Sequence, residues 1–320
     1  TGIIDPFDGK SDLDKKIIRA VGNPNERINE DMLRALRAVR FASTLDFDIE
    51  ESLKKAIKAH AKSILDISKE RIQLELNKIL LSSNPKKGIE LLDELGLLEY
   101  IFPEVYKTKG FDQHSSFHRE DLYMHTLTVL SNTPSILEVR MAALYHDVGK
   151  IDTFFLDENG EGRFFGHQSI SEDLLKVRLK ELKYSNKFIE DTSVLVKRHM
   201  DNTNTYTKKS IRKLLRNIGE ENLIKLFDLQ RADVLATKYG DDSNIDLGIK
   251  LLEEVKDDNI PKSRNEININ GNDLKKLGFK EGKTLGDTLK KIENMIYDQK
   301  LNNDKKEIIH YIKYRLKNVD

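Results

Sequence analysis

Histidine and aspartate side chains recur along the middle of this 320-residue sequence in an order that could build a metal centre. The candidates are His125, His146, Asp147, His167, His199 and Asp233. Imidazole nitrogens and carboxylate oxygens are the ligands of hydrolytic metal sites, and an adjacent His-Asp pair would place two ligands beside one ion. Because a bound ion lowers the pKa of water toward neutrality, the pattern predicts metal-assisted hydrolysis.

The pair His146-Asp147 is the most specific part of this pattern. A lone histidine on a helix is more often exposed or hydrogen-bonded in a core than bound to a metal. This pair, however, follows the apolar run Met141–Tyr145 and precedes the string Val-Gly-Lys. Two polar groups that are costly to bury therefore stand where a helix is expected to turn inward and end, which favours a metal site.

Helices are expected to position these side chains, since the apolar residues recur with helical periodicity through most of the chain. In the middle of the sequence we predict helices over 120–131, 136–149, 168–183, 186–200 and 220–239. The glycine-containing, aromatic-flanked segment Phe154–Phe165 predicts a short hairpin. The predicted fold class is all-α, with at most one short β-hairpin.

Composition limits the function classes that remain. Hydrophobic residues make up 38% and charged residues 34% of the chain, and the net charge is zero. The sequence has no cysteine, which excludes disulfides and thiolate ligands, and no apolar run long enough to span a membrane. We therefore expect a soluble cytoplasmic protein of two or three domains.

The middle block, residues 111–240, resembles the HD superfamily of metal-dependent phosphohydrolases through the string His-Asp-Val-Gly-Lys, an upstream histidine and a downstream Arg-Ala-Asp. The resemblance implies a first metal held by His125, His146, Asp147 and Asp233. It implies a second metal at His167 and His199, with Asp147 able to bridge. It also implies phosphomonoester or phosphodiester substrates, catalytic roles for Asp147 and Lys150, with Lys150 as a phosphate contact, and a divalent ion such as Ni, Mn, Co or Mg. His114 and His118 lie outside the pattern.

A second candidate site lies near residue 30, where a helix is predicted over residues 30–42. At 100° per residue, Met32, Leu36 and Val39 share an apolar face, and Asp31, Arg34, Ala35 and Ala38 lie opposite. A carboxylate accepts hydrogen bonds from an exocyclic amine and a guanidinium donates to ring acceptors, so Asp31 and Arg34 could read the edge of a base. On this spacing alone, an ordinary surface ion pair is the more common explanation.

This region is similar to bacterial tRNA nucleotidyltransferases (CCA-adding enzymes) and poly(A) polymerases. The resemblance includes the motif Glu-Asp-x-x-Arg-x-x-Arg at 30–37. It extends over residues 5–21, 30–42, 68–80 and 88–104 and over the tail from Asn270. It implies that Asp31 and Arg34 select CTP and ATP, that Glu30 and Arg37 brace the site, and that tRNA is a partner. Glu70, Arg71 and Glu75 would support these residues.

The resemblance also implies a catalytic head, with Mg²⁺, upstream of residue 5, and we expect this sequence to be a portion of a longer protein. Asp12 and Asp14 have a DxD spacing but no Gly-Ser or Gly-Gly turn before them, which favours surface charge. In the tail, Gly282 and Gly286 open a predicted helix, and residues 261–320 contain 14 basic and 9 acidic residues. This excess predicts a tRNA-backbone contact, although a solvated charged face has the same composition.

Four parts are therefore predicted along the chain. They are a hinge remnant (1–29), a nucleotide-selecting and RNA-binding neck and body (30–110), an HD domain (111–240) and a helical basic tail (241–320). The favoured function is part of a tRNA nucleotidyltransferase with an HD domain that hydrolyses phosphate esters. The alternatives are a non-catalytic RNA and nucleotide platform with an idle HD domain, or a poly(A) polymerase.

Overall fold

The structure is a computed structural model that describes residues 4–114, 120–256, 261 and 264–316. Residues 315 and 316 are described by their backbone alone. The described residues form two compact units. The first comprises the chain up to Asp201 together with Ile224–Asp242, and the second comprises Asn202–Leu223 and the chain from Ser243 onward. Both are built of helices with only short strand pairs, so the predicted all-α class is confirmed.

The N-terminal half of the first unit is a series of short helices whose ends follow local signals in the sequence. Proline occupies the first turn of three of them, where its missing N–H costs nothing, and asparagine side chains cap two of these. The elements are α1 (Gly9–Asp14), α2 (Pro24–Glu30), α3 (Leu33–Leu45), α4 (Glu51–His60), a 3-10 helix (Ala61–Asp66), α5 (Lys69–Leu80), α6 (Pro85–Glu94), α7 (Leu98–Ile101) and α8 (Pro103–Tyr106).

Two-residue strands β1 (Ile17–Ile18) and β2 (Asp48–Ile49) pair in parallel in this half. The sequence analysis did not predict this pairing, because strands of two residues leave no alternating pattern to detect.

The predicted helix over residues 30–42 is wrong at its start and on one face. Asp31 is extended, with φ −156° and ψ 102°, and its carboxylate accepts a hydrogen bond of 3.0 Å from the Leu33 amide, so that α3 begins at Leu33. Ala35 and Ala38, which were placed on the polar face, are buried. They are buried because α3 packs against both α5 and α6 and is therefore covered on more than one side.

The C-terminal half of the first unit carries the histidines. Its elements are α9 (Leu122–Asn132), α10 (Leu137–Tyr145), α11 (Lys150–Thr153), β3 (Phe155–Leu156), β4 (Gly162–Arg163), α12 (His167–Glu181), α13 (Asn186–Arg198) and the end of α14 (Lys208–Leu235). Strands β3 and β4 are antiparallel, which confirms the predicted hairpin. Helix α10 is buried from Val139 to Tyr145 and packs against α9 and α13. It is the core element on which the site is built.

The second unit contains the first part of α14, whose backbone is non-helical at Gly219. Its other elements are α15 (Ser243–Lys256), a 3-10 turn (Arg264–Glu266), α16 (Gly271–Lys276), α17 (Lys283–Tyr297), α18 (Lys305–Tyr311) and a π-helical turn (Ile312–Leu316). Apolar residues of the tail form its core, among them Leu274, Ile292 and Ile308. Residues 202–223 thus pack with the tail, although the predicted domain 111–240 includes them; the four-part division stays a prediction.

No helix among the described residues combines the length and the apolar character needed to cross a membrane.

Candidate functional site

The six predicted ligands converge in the first unit although they come from separate helices. His125 lies on α9 and His146 and Asp147 follow α10 directly; His167 begins α12, His199 follows α13 and Asp233 lies near the end of α14. Four of the six come together because the helices that carry them begin or end in the buried interior. These four are His146, Asp147, His167 and His199.

Asp147 lies at the centre of this cluster, with its two oxygens facing different histidines. Its Oδ2 lies 3.1 Å from Nε2 of His146 and 3.8 Å from Nε2 of His125. Its Oδ1 lies 3.1 Å from Nε2 of His167 and 3.5 Å from Nε2 of His199. One carboxylate thus joins two sets of imidazoles, which is the arrangement that a bridging ligand between two ions requires.

Asp233 belongs to the first of these sets. Its Oδ1 lies 3.1 Å from Nε2 of His125 and 3.7 Å from Nε2 of His146. In the second set, the Nε2 atoms of His167 and His199 are 3.2 Å apart. The structure therefore groups the side chains in the two sets that the HD resemblance implied.

Three of the histidine rings are held by backbone carbonyls three residues earlier in the chain. The Nδ1 atoms of His146, His167 and His199 lie 2.8, 2.8 and 2.7 Å from the carbonyls three residues earlier, Ala143, Phe164 and Val196. An Nδ1–H that donates to a carbonyl leaves Nε2 with its lone pair directed at the cluster. This is the tautomer and the ring orientation that a metal ligand needs.

The donor set fits a divalent cation. His146 and His199 are fully buried, and the buried Nε2 of His146 makes no hydrogen bond to a described residue. Burial by itself raises the pKa of Asp147, but His146 and Lys150 hold it well below its usual range, so the carboxylate stays charged. Burial lowers the pKa of His146, and the charge of Asp147 outweighs this and raises it to about 9. A cation would compensate the same buried carboxylates.

Gly149 permits the close approach that completes the cluster. A Cβ at this position would lie 2.5 Å from the carbonyl oxygen of His167 and 2.8 Å from the amide nitrogen of Ser171. The Gly149 amide instead donates a 2.9 Å hydrogen bond to the Ser171 hydroxyl. The glycine of the His-Asp-Val-Gly-Lys string thus lets α12 lie directly against the end of α10.

Lys150 is buried beside the cluster rather than facing solvent. Its ammonium lies 2.7 Å from Oδ2 of Asp147 and donates a 2.8 Å hydrogen bond to Oε1 of Gln113. The HD resemblance implied a phosphate contact for this lysine, and no signal in the sequence pointed to Gln113. In this arrangement Lys150 is the counter-ion of Asp147.

Two further histidines of the middle block, His114 and His118, were placed outside the pattern. His114 is exposed and stacks on Phe154, with ring centroids 5.7 Å apart. His118 lies outside the described residues.

The second candidate site, at the start of α3, is an exposed network of charges. Oδ2 of Asp31 accepts a 2.7 Å hydrogen bond from Arg71, and Arg34 lies 3.3 Å from the carboxylate of Glu30. Glu30 also pairs with Arg27 at 2.9 Å. Burial raises the pKa of Asp31, but the hydrogen bonds from Arg71 and Leu33 outweigh it and lower that pKa, so Asp31 is an acceptor at neutral pH.

Two clefts flank this network. One, of about 890 Å³, is lined by arginines and apolar side chains, among them Arg34, Arg37 and Phe41. The other, of about 800 Å³, is polar and includes Glu30 and Asp31. The four predicted nucleotide-binding residues thus line adjacent clefts, two in each.

The remaining predicted residues lie as follows. Glu75 is buried on α5 and pairs with Arg40 at 3.3 Å, whereas Glu70 is exposed. Asp12 pairs with Arg19 at 2.9 Å, an ordinary surface contact. In the tail, Gly282 precedes α17, and six lysines in and before that helix are exposed: 275, 276, 280, 283, 290 and 291.

Comparison with known proteins identifies the family. Residues 46–108 match the model described as "Probable RNA and SrmB- binding site of polymerase A", and residues 164–312 match domain 2 of tRNA nucleotidyltransferases. The CCA-adding enzyme of Streptococcus thermophilus is 31% identical over 97% of this chain and 66% of its own length. The CC-adding tRNA nucleotidyltransferase of Thermus thermophilus is 32% identical over 88% of this chain and 65% of its own length.

Solved structures show the same fold. The CCA-adding enzyme of Bacillus stearothermophilus in complex with CTP has a TM-score of 0.70 at 21% identity, over 98% of this chain and 69% of that chain. The Thermotoga maritima CCA-adding enzyme complexed with tRNA has a TM-score of 0.53 at 19% identity, over 98% of this chain and 67% of that chain. The chain spans about 66% of the length of its first curated relative. It belongs to the tRNA nucleotidyltransferase and poly(A) polymerase family.

Proposed function

We propose that this chain supplies the nucleotide-selecting and RNA-binding part of a cytoplasmic tRNA nucleotidyltransferase. The observation that carries the proposal is the similarity to CCA-adding enzymes, which extends over 97% of the chain. Relatives described as CC-adding and A-adding match as well, so CC or A addition, and a poly(A) polymerase parent, stay open as alternatives.

Asp31 and Arg34 are the residues proposed to choose the nucleotide. Cytosine and adenine both present an exocyclic amine beside a ring acceptor, which pairs with a carboxylate and a guanidinium respectively. Arg71 donates a hydrogen bond to Asp31, and Glu30 forms an ion pair with Arg34. Both side chains are therefore oriented before a nucleotide binds. Arg37, in the same cleft as Arg34, would contact the nucleotide from the next turn of α3.

Nucleotide binding tests this assignment. We expect the chain to bind CTP and ATP more tightly than UTP and GTP in calorimetric titrations, and Asp31→Ala and Arg34→Ala to remove that preference. Lys58→Ala, an exposed change on α4, is the control and leaves the preference unchanged. Unaltered nucleotide preference in both site variants, with folded protein, would refute the template assignment.

For the tail, we propose that the exposed lysines around α17 contact the tRNA backbone. Each lysine–phosphate contact releases counter-ions, so binding weakens as salt rises. Replacing Lys290 and Lys291 by glutamine should weaken tRNA binding and reduce its salt dependence. An unchanged slope of log affinity against log salt would contradict the contact.

We further propose that residues 111–240 hydrolyse phosphate esters with bound divalent metal. The observation that carries this second function is the position of Asp147, with one oxygen toward His125 and His146 and the other toward His167 and His199. A bound ion would polarise the phosphate and lower the pKa of water. The histidine rings orient their lone pairs and Lys150 balances the charge of Asp147.

Metal content and phosphate release test this second function. Protein prepared without chelator should contain Ni, Mn, Co or Mg by elemental analysis, and supplementing it should release phosphate from mono- or diesters. An idle domain, which is the alternative, would bind the ion and release no phosphate from any ester tested. Absence of both metal and turnover would reject the metal centre itself.

A further inference from the structure

Gln230 is a buried polar residue that none of the roles assigned above uses. It lies on α14, in the part that belongs to the first unit, and it is 4% exposed. A buried amide group must form hydrogen bonds within the protein to offset the loss of contact with water. The partners of Gln230 on the chain after α13 indicate what this residue does.

The side-chain amide of Gln230 donates two hydrogen bonds to the backbone at the end of α13. Its Nε2 lies 2.8 Å from the carbonyl oxygen of His199 and 2.8 Å from that of Asp201. Helix α13 ends at Arg198, and the last carbonyls of a helix have no partner within the helix. Gln230 therefore caps this helix end, and it does so through the backbone of a predicted metal ligand.

Two contacts together place the His199 ring. The Val196 carbonyl, 2.7 Å from Nδ1, sets the rotation of the ring, and Gln230 fixes the backbone that carries it. In this position Nε2 of His199 lies 3.5 Å from Oδ1 of Asp147 and 3.2 Å from Nε2 of His167. Because His199 follows the last turn of α13, a shift of its backbone would move Nε2 away from both partners.

Helix α14 thereby reaches both sets of metal ligands. Gln230 precedes Asp233 by three residues, so the two side chains lie on the same side of the helix. Oδ1 of Asp233 lies 3.1 Å from Nε2 of His125 in the first set, and Gln230 holds the backbone of His199 in the second. The helix therefore links the two sets at a second place, in addition to the carboxylate of Asp147.

We propose that Gln230 is a positioning residue for the second metal ion, because it fixes the end of α13 so that His199 can bind the same ion as Asp147 and His167. Hydrogen bonds from a second layer of residues orient metal ligands, and loss of such a partner typically costs about 10–100-fold in metal affinity. Asp233 keeps its place through the helical hydrogen bonds of α14, so the first set should be affected little. This inference rests on the metal centre of the proposed phosphohydrolase function, but not on the hydrolytic reaction.

Titration of the full chain with Mn²⁺ tests the proposal. Gln230→Met keeps the length of the side chain and removes both donors, and Gln230→Glu places a carboxylate against the two carbonyls. We expect two ions to bind to the parent protein, and each variant to weaken one of them by at least about tenfold. Affinity for the other ion should stay within about twofold.

Asn132→Ala is the matched control. It also removes a side-chain amide that donates to a backbone carbonyl, since Nδ2 of Asn132 lies 3.3 Å from the Ala232 oxygen on α14. Because this bond does not involve the end of α13, the ion that Gln230→Met weakens should bind to the control as it does to the parent protein. Thermal unfolding of each variant checks that it is folded. If Gln230→Glu fails to fold, Gln230→Met, which buries no charge, provides the same test.

Variants that remove one set at a time separate positioning from a general loosening of the fold. In His125→Ala protein, metal binding depends on the second set, and adding Gln230→Met should weaken it by about tenfold. In His167→Ala protein, binding depends on the first set, and the same addition should change it by no more than about twofold. Electron paramagnetic resonance gives a second readout. The spin coupling between two bound Mn²⁺ ions should disappear in Gln230→Met at concentrations that still fill the first set.

Equal weakening in the two backgrounds would overturn the inference, because Gln230 would then support the fold as a whole. Unchanged binding of both ions in Gln230→Met would overturn it as well. A parent protein that binds no metal would reject both the metal centre and this role of Gln230. Failure of the hydrolytic reaction looks different: the second ion responds to Gln230 as expected, and no phosphate ester is hydrolysed. That result would support the positioning role and reject the phosphohydrolase function.

Discussion

The metal cluster and the network at the start of α3 both bring charged side chains together, but they differ in solvent exposure. Histidine and Asp147 side chains of the cluster are at most 7% exposed. Asp31, Arg34 and Glu30 are 32%, 43% and 49% exposed. Buried polar groups are costly unless a partner compensates them, whereas exposed charges are solvated at little cost.

This difference in solvent exposure determines how strongly each arrangement by itself indicates a function. Four imidazoles and two carboxylates that are mostly shielded from water are costly to bury together unless a bound cation compensates them. The exposed pairs near Asp31 resemble surface ion pairs, and only the family relationship gives them a role. Burial is therefore evidence for the first site, and similarity to known enzymes is evidence for the second.

The largest expected effect is on metal affinity. Asp147→Ala should weaken divalent metal binding at least about 100-fold, because its two oxygens face both sets of histidines. Calorimetric titration with Mn²⁺ measures this, and metal should raise the melting temperature of the parent protein but not of the variant. Asp152→Ala removes an exposed carboxylate five residues away as the control. Undiminished affinity would show that the cluster is not the metal site.

A smaller effect is expected where helices meet. Gly149→Ala should destabilise the protein by about 2 kcal/mol, because the new Cβ would overlap the His167 carbonyl and push α12 away. Urea unfolding measures the change, and metal affinity should fall with it. Gly286→Ala is the matched control: its Cβ meets nothing within 4 Å, and it should stabilise α17 by up to about 1 kcal/mol. Equal effects at the two glycines would contradict close packing at residue 149.

The exposed network should respond in the opposite way, with a change in ligand binding and almost none in stability. Arg34→Ala should alter the free energy of unfolding by less than about 0.5 kcal/mol, since its ion pair with Glu30 is solvated. Urea unfolding of the variant and the parent protein measures this. A loss above about 2 kcal/mol would mean that Arg34 is structural, which would remove the contrast between the two regions.

The smallest effect is a pH dependence at Asp31, whose pKa is lowered in the folded protein. A carboxyl with a lowered pKa stabilises the fold above its unfolded pKa and loses that contribution as pH falls through its folded pKa. Asp31→Asn should therefore cost a few tenths of a kcal/mol at pH 7, and this cost should shrink as pH falls below the unfolded pKa of about 3.9. Comparing urea unfolding at pH 7 and pH 3 tests this; a difference that is as large at pH 3 as at pH 7 would point to packing instead of charge.

The sequence predicted well where the signal is local. The apolar run before His146 and the turn between Phe154 and Phe165 led to correct helix and hairpin assignments. It predicted poorly where the deciding contact is distant along the chain. Arg71 donates a hydrogen bond to Asp31 from 40 residues away, and no local pattern around either residue encodes that contact.

The α3 region illustrates the second case. A single-helix pattern predicted that Ala35 and Ala38 face solvent, but α5 and α6 cover that side of α3. Helical periodicity describes one exposed and one buried face, and it fails for a helix that is packed on two sides.

By itself, the sequence determined the helical class, the metal-ligand residue types and the family motifs, because these depend on side-chain chemistry and short-range spacing. The tertiary structure decided which oxygen of Asp147 faces which histidines, that Lys150 is turned inward, and that Asp233 is the most exposed of the six clustered side chains. Those properties depend on where helix ends meet, and helix packing fixes that through contacts between residues far apart in the chain.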